Sequence, residues 1–423
     1  MYKVNFSNLK SNMKQLGIIN LLMILEFVMC IAICIASVLN IPMIQSVLHL
    51  LIYAVLFVMF AIQLIGMIRK KEHVDSLFVL FAVTTVLAVA IITVEYFVKK
   101  ETSSFSPSYY TNFIFFISTL LLFYVIYRAK FNLKTVNTLI YLTMAASLLM
   151  VIFYFVLGEK AYIFHGYVSR YLTLNMGNPN KTAIVLFLLF LYMFLGIFII
   201  RKKWIKFLCG MMAAFLLYMI YKTYSRNILI VSTCFLFFIP WLICTKRNRL
   251  NNLFWDLVFL LPILFVIVYM LLIENDVLVK LFGFMISDGK DLSSRQKVWQ
   301  FALDYINQNP IWGSYFEIWS DIESEYQNNM HNSLLGVLTT YGSIVFIVFS
   351  VYMYEVFRKF NALCNLKIQN IALWSFGMAL LIGLGESCLF AGSAGLFILC
   401  GGLLTIVKAC PDVKLLNEND KKE

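Results

Sequence analysis

The stretch from Ser293 to Asn332, SSRQKVWQFALDYINQNPIWGSYFEIWSDIESEYQNNMHN, is the only long polar interval in an otherwise apolar chain. What flanks it decides the fold. Soluble domains are about 45–50% apolar and about 25% charged, whereas this chain of 423 residues is 61% hydrophobic and 13% charged. That composition defines an integral membrane protein. Apolar runs of spanning length fall at roughly 16–39, 43–68, 76–98, 110–127, 136–157, 182–200, 204–221, 227–244 and 253–273 before the interval. Three more, at 333–356, 371–387 and 391–407, follow it. The expected fold is all-α and polytopic, with about 12 transmembrane helices in one membrane domain, several near the lower length limit of about 17 residues.

Within the interval, Ser293 or Ser294 is suited to cap a helix. Arg295, Trp299, Ala302 and Ile306 then recur at helical spacing and share one face. Pro310 and Gly313 stop that amphipathic helix. An acidic, aromatic run follows and ends on His331-Asn332, where the next apolar run begins.

Basic residues set the topology. The N-terminus carries Lys3, Lys10 and Lys14, and the first apolar run has no small-residue cleavage site, so it reads as a span. Clusters at Arg69-Lys70-Lys71, Arg128/Lys130/Lys134, Arg201-Lys202-Lys203, Lys246-Arg247 and Arg358-Lys359 fall in alternate connectors. Counted this way, about two thirds of the basic residues lie on one side, which places both termini in the cytoplasm. The net charge of +12 is therefore a topology signal, and nucleic acid is not an expected partner. The interval falls outside, in a loop of residues 274–332 that carries nine carboxylates against four basic residues. The nine cysteines show no metal spacing and read as packing residues.

Candidate chemistry gathers on the same side. The outer loop 158–181 holds His165, Arg170 and Asn178-Pro179-Asn180, a sequence that favours a turn into a capped helix. Arg226 lies in a connector so short that it must sit at the outer interface; a snorkelling structural arginine is the bland alternative. Arg170, Arg226 and Arg295 together would repel one another unless an anion lay between them, and the planar guanidinium suits phosphate. His331, at a membrane boundary, is the natural side chain to take a proton from a hydroxyl near neutral pH. His49 reads as a core residue and His73 as a solvated one. Glu26 is the only carboxylate deep in a span, Glu95 lies near the outer end of the third, and Glu386 faces outward, placed either to orient a sugar hydroxyl or simply to pair at the interface. The first outer connector, Asn40-Ile41-Pro42, holds no acidic pair.

In order along the chain, Arg170, GNPNKTA, Ser225-Arg226, SSR with Trp299, NPIWG at Asn309–Gly313, and His331-Asn332 with Gly342 resemble the O-antigen ligase and O-antigen or capsular polysaccharide polymerase (Wzy-type) superfamily of bacterial membrane proteins. The match runs from about Tyr162 to Gly342. One departure is Tyr315, where the family often has a second glycine. The resemblance implies a GT-C-like glycosyltransferase acting on undecaprenyl-diphosphate-linked glycans at the outer face of the cytoplasmic membrane. It makes Arg226, Arg295 and His331 catalytic: the arginines hold the diphosphate and the imidazole serves the acceptor hydroxyl, with inversion. Arg170, Asn178, Asn180, Trp299, Asn332 and Glu386 are then substrate-binding positions. It implies no metal and no cofactor, with arginines in place of a divalent cation. The implied partners are the donor and acceptor glycans on undecaprenyl diphosphate, membrane lipid, and a flippase and chain-length regulator of the same pathway. Trp312, Tyr315, Trp319 and Tyr326, with Asp321, Glu323 and Glu325, can line the glycan path. The rivals are a ligase that moves finished glycan to another acceptor and, from another class, a lipid-linked oligosaccharide flippase. A transporter is expected to carry its polar sites near mid-membrane, and here they crowd the outer rim.

Overall fold

The computed structural model describes residues 6–99, 107–165, 169–244, 252–272, 291–315, 332–383 and 394–409. Helices occupy every expected run: α1 (Phe6–Val38), α2 (Pro42–Lys70), α3 (Ser76–Lys99), α4 (Pro107–Arg128), α5 (Leu133–Leu157), α6 (Pro179–Ile199), α7 (Lys203–Thr223), α8 (Arg226–Cys244) and α9 (Asn252–Leu272). After the polar helix α10 (Asp291–Gln308) come α11 (Ser333–Leu363), α12 (Lys367–Ile382) and α13 (Ala394–Ala409). Among the described residues eight helices are long and apolar enough to cross a membrane, and four apolar helices are shorter. The chain is an all-α polytopic membrane protein. A small sheet was not expected: after a 3-10 turn at Gly158–Ala161, strands β1 (Tyr162–His165) and β2 (Ser169–Leu172) pair antiparallel, Phe164 opposite Arg170.

The bundle is built around α6, α12 and α13, whose side chains are buried nearly all round. A helix apolar on every face belongs in the interior, and a tyrosine placed there must find an acceptor. Tyr192 of α6 donates to the Leu399 carbonyl at 2.6 Å, and Tyr352 of α11 to the Leu120 carbonyl at 2.6 Å. Gly401 and Gly402 let α13 approach its neighbours. A Cβ on Gly401 would lie 2.6 Å from Leu122, and one on Gly402 would collide with Phe27 and the Tyr192 hydroxyl. Large apolar side chains such as Leu21, Leu50, Val86 and Phe237 face outward, as a lipid-solvated surface requires.

The two ends of the bundle differ in chemistry. At one end Arg128 pairs with Glu72 and Asp75, Ser76 donates to Glu355 at 2.9 Å, and Lys408 donates to the Tyr127 carbonyl at 2.6 Å. Lys367 reaches the Ile243 carbonyl there at 2.5 Å. Among the described residues, Arg128, Lys359 and Lys408 of the expected cytoplasmic side thus meet around Glu72, Asp75 and Tyr127 at one end. The opposite end carries the hairpin, the α7–α8 turn and the start of α11.

Candidate functional site

α10 brings part of the polar interval back against the bundle. It starts at Asp291, so Ser293 and Ser294 lie in its first turn and do not cap it. Of the expected stripe, Trp299, Ala302 and Ile306 are buried, joined by Val298 and Leu303, and the helix packs on α11. Arg295 lies on α10; its side chain is outside the described residues.

Residues 309–315 enter a break in α11 at Gly342, whose φ of 74° and ψ of 177° are not helical. An uninterrupted helix would bond the Ser343 N–H to the Thr339 carbonyl four residues back. Here both groups are taken by the entering segment: Ser343 N–H donates to the Pro310 carbonyl at 3.0 Å, and Ser314 N–H to the Thr339 carbonyl at 2.9 Å. Gly313, at φ 72°, faces Gly342 so closely that a Cβ on it would lie 2.7 Å from the Thr340 carbonyl. The last described backbone amide of the segment, Tyr315 N–H, donates to Glu95 at 2.7 Å. Irregular backbone inside a membrane bundle is tolerated when its polar groups are satisfied in this way. Tyr315 itself is buried against Tyr341, at 5.8 Å between ring centroids. Trp312 stays exposed.

A second junction lies where α8, α11 and α12 meet. Asn227 donates its side-chain amide to the Ile382 carbonyl at 3.2 Å, and Ser333 N–H donates to the Gly383 carbonyl at 2.8 Å. The N-terminal ends of α8 and α11 therefore converge on the last carbonyls of α12. Arg226 is the first residue of α8, exposed, and its guanidinium makes no hydrogen bond or ion pair among the described residues. Asn332 is buried and caps α11, its Oδ1 accepting from Leu334 N–H at 3.0 Å and Leu335 N–H at 2.9 Å. His331 immediately precedes it, and Glu386 follows Gly383 by three residues; both lie outside the described residues.

The loop between α5 and α6 reaches this end from another direction. Arg170 on β2 pairs with Glu159, at 2.9 and 3.1 Å to its two oxygens, so its charge already has a counterion. Its neighbour Tyr171 meets Tyr224 edge to face at 5.7 Å, which sets the hairpin on the turn preceding Arg226. Asn178 is the N-cap of α6, its Oδ1 accepting from Asn180 N–H at 2.8 Å, with Pro179 at the first helical position. Asn175 ties the loop to α1 by donating to the Val38 carbonyl at 2.8 Å. Arg170 and Arg226 thus sit on packed neighbours, while Asn178 and Asn332 have their side-chain oxygens engaged as caps. Sequence reasoning missed Glu95 as the anchor of the entering segment, and missed Glu159. Both were visible only as single acids, without a sign of what they meet.

Fold and junctions define a class: a helical integral membrane protein with a polar segment packed into a broken helix and an arginine at a helix start that makes no ion pair among the described residues. Residues 211–350, about a third of the chain, match the family model described as O-Antigen ligase. The matched segment contains Arg226, Arg295, Trp299, His331, Asn332 and Gly342, and the resemblance to the O-antigen ligase and polymerase superfamily rests on it. Arg170, Asn178, Asn180 and Glu386 fall outside it. Neither a curated protein nor a solved structure matches the chain.

Proposed function

We propose that the protein is a polysaccharide polymerase. It transfers a growing glycan from undecaprenyl diphosphate to the non-reducing end of a lipid-linked repeat unit, at the outer face of the cytoplasmic membrane. The observation that carries this reading is the convergence of two helix N-termini, those of α8 and α11, with the Arg226 guanidinium beside them and without an ion pair among the described residues. Helix N-termini and arginine both favour an anion. In the proposed step the acceptor hydroxyl attacks the anomeric carbon from the face opposite the diphosphate. The bond between that carbon and the phosphate oxygen breaks, and its electron pair leaves on the diphosphate, held by Arg226 and Arg295. The hydroxyl proton passes to His331, and the anomeric configuration inverts. Diphosphate is a good leaving group, so alignment and charge neutralisation suffice without metal or cofactor.

The ligase reading shares this chemistry and differs in the acceptor; the description of the matching family model speaks for it. Variants separate binding from chemistry. Arg226→Ala and Arg295→Ala are expected to weaken binding of the lipid diphosphate. His331→Ala is expected to keep binding and lose transfer. Wild-type polymerisation by both arginine variants would overturn the anion site, and loss of single-repeat export in place of chain growth would favour a flippase.

A further inference from the structure

Two residues before Arg226, at the same end of the bundle, Tyr224 closes α7 and is 50% exposed; Tyr221, one turn earlier, is 53% exposed. Their ring centroids lie 5.9 Å apart at 39°, and Tyr171 of the hairpin meets Tyr224 edge to face at 5.7 Å. Two segments far apart in the chain thus build one open aromatic patch beside the cation. The exposed side chains of Phe207, Met211, Tyr218 and Tyr221 recur at helical spacing along α7. That apolar track runs about 20 Å and ends at the patch.

Stability does not account for the patch. Tyr224 takes φ 54° and ψ 21°, the left-handed conformation that helix ends usually give to glycine. Elsewhere among the described residues, Asn40 and Asn175 are of the type that tolerates it, Leu174 is wholly buried, and Lys71 carries a flexible chain into solvent. Tyr224 instead keeps a rigid ring half in the open. A membrane belt does not account for it either. Belt tyrosines sit among the headgroups on the sides of helices, whereas this ring stands on a turn and is set against a strand.

We propose that Tyr224, with Tyr221 beside it, is the subsite for the sugar joined directly to the lipid diphosphate. This subsite rests on the anion site proposed at Arg226. Two residues of chain span at most about 7 Å, so the Tyr224 ring and the Arg226 guanidinium can serve one ligand that carries a sugar next to its phosphates. The ring stacks on the apolar C–H face of the pyranose, and its hydroxyl lies among the sugar hydroxyls. Tyr171 holds the ring in place, and the track along α7 takes the start of the lipid tail. The sugar class favoured is a pyranose with one uninterrupted face of C–H groups.

Two probes test this on full-length protein in nanodiscs: undecaprenyl diphosphate without a sugar, and the same lipid carrying one glucose. Wild-type protein is expected to bind the glucosylated lipid about tenfold more tightly. Tyr224→Gly, which suits φ 54°, is expected to lose that preference, to bind the sugar-free lipid as wild type does, and to melt near the wild-type temperature. Tyr224→Asn, also suited to this backbone, is expected to match it, while Tyr224→Phe keeps the ring and most of the preference. Arg226→Ala weakens binding of both lipids. Equal binding of the two lipids by wild type, or a preference that survives in folded Tyr224→Gly and Tyr224→Asn, overturns the sugar subsite and leaves the anion site standing. Equal weakening of both lipids by Tyr224→Gly also overturns it, since the ring then serves the structure or the lipid and not the sugar. Binding of neither lipid by wild type removes the anion site and the subsite together.

Discussion

Arg226 is a cation placed where a helix least rewards one. The N-terminus of a helix carries a partial positive charge, and a like charge beside it costs about 0.3–1 kcal/mol when exposed. With no counterion among the described residues, Arg226 contributes nothing evident to stability, so Arg226→Ala is expected to leave the melting temperature of the purified protein unchanged or slightly higher. The same variant should lower glycan transfer about a hundredfold or more, as loss of one charge-stabilising donor does elsewhere. Arg170 differs. Its pair with Glu159 is exposed and is worth about 0–1 kcal/mol at most, and a counterion already occupies it. Arg170→Ala should therefore cost only a few-fold in transfer rate; a loss as deep as that of Arg226→Ala would show that Arg170 leaves Glu159 for substrate. Arg226 was legible in the sequence because a connector of a few residues can only lie at the interface. The Glu159 pair was not, because it depends on a hairpin in a loop that reads as polar connector.

At the scale of elements, the break in α11 governs how the polar interval is held. Gly342 is expected to be intolerant of any side chain: its φ is positive, and a Cβ would collide with the Ile311 carbonyl. Gly342→Ala should cost about 2–4 kcal/mol, read as a sharp fall in thermal stability or in yield of monodisperse protein. Glu95→Gln, which keeps an acceptor for Tyr315 N–H, should be milder than Glu95→Ala. Asn332→Ala removes the cap of α11 and should cost about 0.5–2 kcal/mol, whereas Asn332→Asp keeps a capping oxygen and should retain most of that stability. Pro310 and Gly313 announced a helix stop, and α10 does end at Gln308. Their partner was hidden, since the apolar pattern runs straight through Gly342 and nothing local marks a helix whose 343-to-339 bond is given to another segment. The α10 stripe was readable because Trp299, Ala302 and Ile306 obey helical spacing. The start of the helix was not, because Asp291, Ser293 and Ser294 all offer a capping oxygen.

For the whole molecule, the twelve apolar runs carried the architecture, since a bilayer demands helices of a set length and sequence displays them directly. What the sequence could not display is which helices lie inside. The burial of α6, α12 and α13 follows from packing partners such as Gly401 against Leu122, which are far apart in the chain. The expected sidedness rests on the alternation of basic clusters along the sequence. A membrane-impermeant maleimide should label Trp312→Cys in intact cells and label Lys202→Cys only after permeabilisation; the reverse pattern would invert the topology. The central claim is transfer of glycan from a lipid diphosphate held at the Arg226 end. It is tested most directly by incubating purified protein with a lipid-linked repeat unit and resolving the products by size. The account predicts a ladder from wild-type protein and a single band from Arg226→Ala and His331→Ala. A single band from folded wild-type protein, or an undiminished ladder from those variants, would contradict it.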